Sequence, residues 1–110
     1  MAQKHFEPGT KVNLSPLGPA LAQARTTAIV KGRQLEVMRV VLLAGKSMKE
    51  HKVPGEMTVQ CLEGCIELRT PQTVYVLNAG DFIYLEAALA HSLQAVSDAS
   101  ALVTLFVGAV

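Results

Sequence analysis

Met57-Thr58-Val59-Gln60-Cys61-Leu62-Glu63-Gly64-Cys65-Ile66-Glu67-Leu68-Arg69 reads as two strands that turn at Glu63-Gly64. Apolar and polar residues alternate with the period of two that a half-buried strand requires. With Glu63-Gly64 as a two-residue loop, Leu62 faces Cys65, Cys61 faces Ile66, Val59 faces Leu68 and Met57 faces Thr70. One face is then Met57, Val59, Cys61, Ile66 and Leu68, apolar and directed inward. The other is Thr58, Gln60, Leu62, Cys65, Glu67 and Arg69, mostly polar and directed outward. Cys61 and Cys65 fall on opposite faces, so no bridge between them is expected. Their spacing also misses the C-x-x-C pattern of redox and zinc motifs.

Outward from this hairpin the same kind of signal repeats. Thr26–Val30, a polar break at Lys31-Gly32-Arg33-Gln34, and Leu35–Leu43 predict a second hairpin. Gly45–Glu50 reads as a polar connection leading to His51. Val74–Leu77, Phe82–Leu85, His91–Val96 and Ala101–Val107 complete the strands. No stretch carries a sustained 3.6-residue apolar stripe. Many short strands punctuated by glycine and proline predict an all-β barrel or sandwich. Residues 1–24 hold three of the five prolines and little periodicity. They read as an N-terminal arm, and residues 25–110 as one domain.

Bulk properties narrow the function. The chain has 110 residues, room for one core. A net charge of +1 gives no electrostatic case for nucleic acid or an anionic membrane. Half of the residues are hydrophobic and the mean hydropathy is +0.31. A membrane span would need roughly 20 consecutive apolar residues, whereas Val40–Ala44 and Ala101–Val107 are only strand-length. The N-terminus lacks the apolar run of a secretory signal. We therefore expect a cytoplasmic protein whose surplus apolar surface is covered in a homodimer.

Two glycine-framed stretches carry the remaining information. From Gly45 to Gly64 the chain places His51, Val53 and Met57 at fixed intervals, and from Gly80 it places Glu86, Ala88, His91 and Ala95. This layout resembles the two motifs of the cupin superfamily. There the first motif reads glycine, five residues, His, one residue, His, three residues, Glu, six residues, glycine. The second reads glycine, five residues, Pro, one residue, glycine, two residues, His, three residues, Asn. The resemblance runs from about Leu35 to Val107 and implies a jelly-roll barrel of the double-stranded β-helix type, commonly holding a divalent metal ion.

Measured against those motifs, His51 and His91 occupy histidine positions. Val53 stands at the second histidine and Met57 at the glutamate. Hairpin parity independently turns Met57 inward and Glu56 outward. His51 and His91 are thus the residues that would hold a metal, yet two imidazoles fall short of the three protein ligands of catalytic zinc. A thioether at position 57 suits Cu(I) better than a hard divalent ion, and Cys61 lies about 13 Å along the strand from Met57. We expect a pocket without a metal cofactor, lined by His51, Val53, Met57, Val59, Cys61, His91 and Leu93. It would bind a small, partly apolar molecule, as a sensor or carrier. The alternative is a metal-dependent oxygenase, isomerase or lyase acting on a small organic acid through a reduced His51/His91 centre. No catalytic residue is assigned.

Other features carry less. Arg39 shares parity with Leu35, Val37, Val41 and Leu43, which predicts either entry into the barrel, facing an anionic ligand, or a place at its rim or at a dimer interface. Tyr75 and Tyr84 either offer a hydroxyl to a ligand or pack at strand edges. Gly45-Lys46-Ser47 imitates the end of a phosphate-binding loop, but no glycine lies five residues before it and no helix follows.

Overall fold

The computed structural model describes residues 5–108; the first four residues of the expected arm and the last two of the expected domain lie outside them. Nine strands follow one 3₁₀ turn, Gly18–Gln23. They are β1 (Thr27–Lys31), β2 (Leu35–Leu42), β3 (Ser47–His51), β4 (Met57–Glu63), β5 (Cys65–Arg69), β6 (Val74–Asn78), β7 (Phe82–Leu85), β8 (His91–Ala95) and β9 (Ala99–Phe106). They form two antiparallel sheets, one in the order β1-β2-β9-β4-β7 and the other β3-β8-β5-β6. No helix among the described residues is long and apolar enough to cross a membrane.

The inner faces of the two sheets meet over one core. Val59, Cys61, Ile66 and Leu68 are buried there with Val40, Leu93, Ala101 and Val103. The faces predicted for Met57–Arg69 are thus the faces observed, but the pairing is not. β4 pairs with β7 and β9, whereas β5 pairs with β6 and β8. Glu63-Gly64 is a corner at which the chain leaves one sheet for the other. Gly64 has φ +79°, and a Cβ there would collide with the Asp98 carbonyl oxygen and the Ala99 Cα. Only glycine fits a left-handed position pressed so closely against backbone. Cys61 is buried, Cys65 is partly exposed, and both thiols are free.

One further expectation is corrected and one open alternative is decided. Gly45–Glu50 is not a simple connection, because Ser47–His51 is an edge strand pairing with β8. Its mostly polar, exposed residues are those of a solvated edge. Arg39 does not enter the barrel. Met38, Val40 and Leu42 take the inner face of β2, while Arg39 lies on the outer face, opposite Leu102. There the arm covers it.

That cover is held by one carboxylate. Glu63 accepts hydrogen bonds from the Leu17 N–H (3.0 Å), the Gly18 N–H (3.1 Å), the Ser100 hydroxyl (2.5 Å) and Arg39 Nη2 (3.3 Å). Arg39 Nη2 also donates to the Ser15 carbonyl at 2.8 Å. The Arg39 and Glu63 side chains are only 10% and 12% exposed. Burial acts to raise the Glu63 carboxyl. The hydrogen bonds from Leu17, Ser100 and Gly18 and the charge of Arg39 outweigh it and hold the group below the usual carboxylate range.

Candidate functional site

At one end of the barrel the inner faces stop short of contact and leave a cavity of about 30 Å³, lined by Met38, Val40, Met48, His51, Met57, His91, Leu93, Val103 and Leu105. The strand registers explain the convergence. Met38 pairs with Val103 and Met57 with Leu105, so β2 and β4 bring two thioethers to either side of β9. On the facing sheet Met48 pairs with Leu93 and His51 with His91. A register shift between Met48 and His51 lets two residues three apart in sequence share the inner face.

The two imidazoles touch. Their ring centroids are 4.4 Å apart, with the planes tilted by 56°. His91 is 2% exposed, whereas His51 stands exposed at the mouth. Each ring is held the same way, by the carbonyl two residues before it. His51 Nδ1 lies 3.0 Å from the Lys49 carbonyl and His91 Nδ1 lies 2.9 Å from that of Leu89. A carbonyl oxygen only accepts, so Nδ1 of each ring carries the proton. In the neutral ring Nε2 then bears the lone pair, and neither Nε2 has a hydrogen-bond partner among the described residues. The site therefore offers two fixed nitrogen acceptors against an apolar, sulfur-rich wall.

Of the residues expected in the pocket, His51, Met57, His91 and Leu93 come together here. Val53 does not. It faces a separate shallow recess with Lys52, Pro54 and Ala88. Val59 and Cys61 are each 0% exposed, packed in the core, and are not among the residues that line the cavity. Burial pushes the Cys61 thiol up, which keeps it protonated. Met38, Val40, Met48, Val103 and Leu105 were missed. Larger hollows of about 650 and 840 Å³ flank the arm near Phe6–Thr10 and the Gly32 turn. They are grooves between chain segments and bring no two histidines or carboxylates to a common point.

The divalent metal that the cupin motifs imply does not fit these residues. Val53, at the second histidine position, lines a different recess, and Met57 replaces the glutamate. Glu56 turns to the outer face, where its carboxylate accepts the Tyr84 hydroxyl. Among the described residues no group of three or more His, Cys, Asp or Glu could hold a metal ion. The second motif keeps its backbone even where its residues differ. Ala88, at the glycine position, has φ +62° and is the described non-glycine residue in the left-handed region. Its N–H donates to the Val53 carbonyl at 2.9 Å, tying the two motif loops together.

No family model matches the sequence, and no curated protein matches it significantly. Solved structures do match in fold. A cupin superfamily protein from Desulfitobacterium hafniense is 13% identical with a TM-score of 0.74, over 89% of this chain and 99% of that one. An RmlC-like cupin from Desulfovibrio desulfuricans is 20% identical with a TM-score of 0.74, over 88% and 96%. A Streptococcus pyogenes protein of unknown function is 21% identical with the same TM-score, over the whole of both chains. Two facing antiparallel sheets, the left-handed glycine-type corners and the agreement with these structures lead to one conclusion: the chain has the jelly-roll fold of RmlC-like cupin structures.

Proposed function

We propose that the chain binds a small, partly apolar molecule at the mouth of its barrel, as a sensor or carrier, and that it does so as a homodimer. One observation carries the reading: two fixed Nε2 acceptors, His51 and His91, stand against a wall of methionine, valine and leucine with no carboxylate beside them. A guest that donates one or two hydrogen bonds and presents an apolar body suits such a surface. A volume near 30 Å³ is about the share of one water molecule, so a guest of several heavy atoms needs the wall to yield. Met38, Met48 and Met57 are unbranched and can swing aside. An enzyme acting on a small organic acid is less well supported, because no Lys or Arg lines the cavity and Arg39 is committed to Glu63 on the outer face.

Homodimerisation draws on the outer face of the five-stranded sheet. Phe82 and Tyr84 are 61% and 57% exposed there, and Leu35 is 44% exposed. The test of binding is a thermal-shift screen of small amphiphilic molecules against the wild-type chain and Val103→Phe, which fills the cavity. Binding predicts melting shifts that Val103→Phe loses. Equal shifts in both proteins, or none in either, would end the reading.

A further inference from the structure

We propose that the barrel-mouth cavity is a site for a soft monovalent metal ion, Cu(I), held by thioether sulfur and imidazole nitrogen. This rests on the same cavity as the proposed function but not on its organic guest: an ion fits the cavity at its present volume, whereas a molecule requires the wall to yield.

The distribution of methionine is the first argument. All three methionines among the described residues, Met38, Met48 and Met57, line this one cavity of about 30 Å³. The rest of the core is built from Val, Leu, Ile, Ala and one Cys. They arrive from three strands and both sheets, two from β2 and β4 and one from β3. The last stands beside His51 and His91, so donor-bearing residues of both sheets line the one cavity. Donor chemistry is the second argument. Thioethers and neutral imidazoles are soft or borderline ligands that favour Cu(I), and carboxylates, which favour hard divalent ions, are missing from the lining. Orientation is the third. Each imidazole donates Nδ1–H to a backbone carbonyl, the outer interaction that fixes a ligating histidine with Nε2 free. His51, exposed at the mouth, gives an ion its way in from solvent. All five donors are uncharged, so the occupied site keeps the ion's single positive charge and no redox step is involved.

The test is an anaerobic competition between the full chain and a colorimetric Cu(I) chelator, with ascorbate keeping copper reduced and Ag(I) as a redox-inert second probe. It is run on the wild type and on the Cys61→Ala/Cys65→Ser variant, which removes both thiols. One Cu(I) per chain should be retained by both, with sulfur and nitrogen neighbours seen by X-ray absorption. The triple variant Met38→Leu/Met48→Leu/Met57→Leu conserves side-chain volume and should keep its fold by circular dichroism. It should weaken binding by more than the about 10–100-fold that outer-shell changes cause. The inference is overturned if the thiol-free protein retains neither probe, if the triple variant binds as the wild type does, or if Zn(II) competes equally with Cu(I). Melting shifts by organic guests without Cu(I) retention would sink this inference alone. Cu(I) retention without such shifts would sink the organic guest alone.

Discussion

Glu63→Ala should loosen the arm and cost a large part of the stability, because one carboxylate joins four partners from three parts of the chain. Its removal leaves Arg39 with the Ser15 carbonyl as its only partner, on a side chain 10% exposed whose Nε already lacks one. Breaking a buried ion pair from one side costs about 3–5 kcal/mol. The arm limits that cost, since it can lift and let water reach the guanidinium. The charge-assisted hydrogen bonds alone are worth about 1.5–3 kcal/mol each, so a net loss of about 3 kcal/mol is expected. For a domain of this size each kcal/mol moves Tm by about 4–8 °C. Calorimetry should therefore show a fall of roughly 12–24 °C. Limited trypsin digestion should cut at Lys11 within the arm and Arg25 at its end, both exposed, before the barrel is touched.

The same carboxylate gives stability an acid limb. Its folded-state pKa is depressed, so its contribution is complete above the ordinary glutamate value. It is lost as pH falls below that value and through the lower folded one. Glu63→Gln should flatten that limb of a Tm-against-pH curve by lowering Tm on its neutral and alkaline side while leaving the acid end least changed. A loss below about 1 kcal/mol in Glu63→Ala, within the range of an exposed ion pair, would refute the argument that this network pins the arm.

Further consequences can be measured directly. Ala88→Gly relieves a left-handed alanine worth about 1–2 kcal/mol, partly offset by the greater chain entropy of glycine; a Tm rise of a few degrees is expected, and a fall would contradict the φ of +62°. Gly64→Ala should prevent accumulation of folded protein, because its Cβ meets backbone on both the Asp98 and Ala99 sides; normal expression with an unchanged Tm would show that the corner can relax. Met57→Glu places a carboxylate in the cavity that the two imidazoles line. It should create Zn(II) binding measurable by calorimetric titration, with the metal-free variant less stable than the wild type. Phe82→Ser together with Tyr84→Ser should shift sedimentation from dimer to monomer, and an unchanged profile would exclude this face as the interface.

The fold was legible wherever it depends on which side a residue faces, and illegible where it depends on which strand lies alongside. Alternation through Met57–Leu68 identified the buried set correctly, because a corner between facing sheets keeps inner residues inner, as a hairpin does. The pairing partners were wrong because nothing in a period of two distinguishes a turn within one sheet from a crossing between two. The collision a Cβ would suffer at Gly64 distinguishes them, and it appears only once Asp98 and Ala99 are in place. Arg39 was left between the barrel interior and its rim or an interface for a related reason. Leu35, Val37 and Val41 are as apolar as Met38, Val40 and Leu42, since the arm and its surroundings cover part of the outer face. Where both parities are apolar, periodicity cannot choose the inside.

The site shows the same division. His51, Met57, His91 and Leu93 could be found because motif spacing and strand parity agree on them. Met48 could not, since strict alternation sets it opposite His51 and only the irregular register between them brings both inward. One clue was present: Met48 is the sole apolar residue from Ser47 to Glu50, and a lone apolar side chain on a solvated edge strand needs a reason to be there. Met38 lay hidden because the two parities of β2 are equally apolar and neither could be chosen as the inner one. Once both are restored, the exchange of glutamate for Met57 no longer reads as the loss of one ligand from a hard-metal site. Three thioethers around two imidazoles form a consistent chemical set. Gathering every described methionine at the mouth gives the wall either soft donors for an ion or flexible side chains that yield to a guest, and the competition with a Cu(I) chelator separates the two.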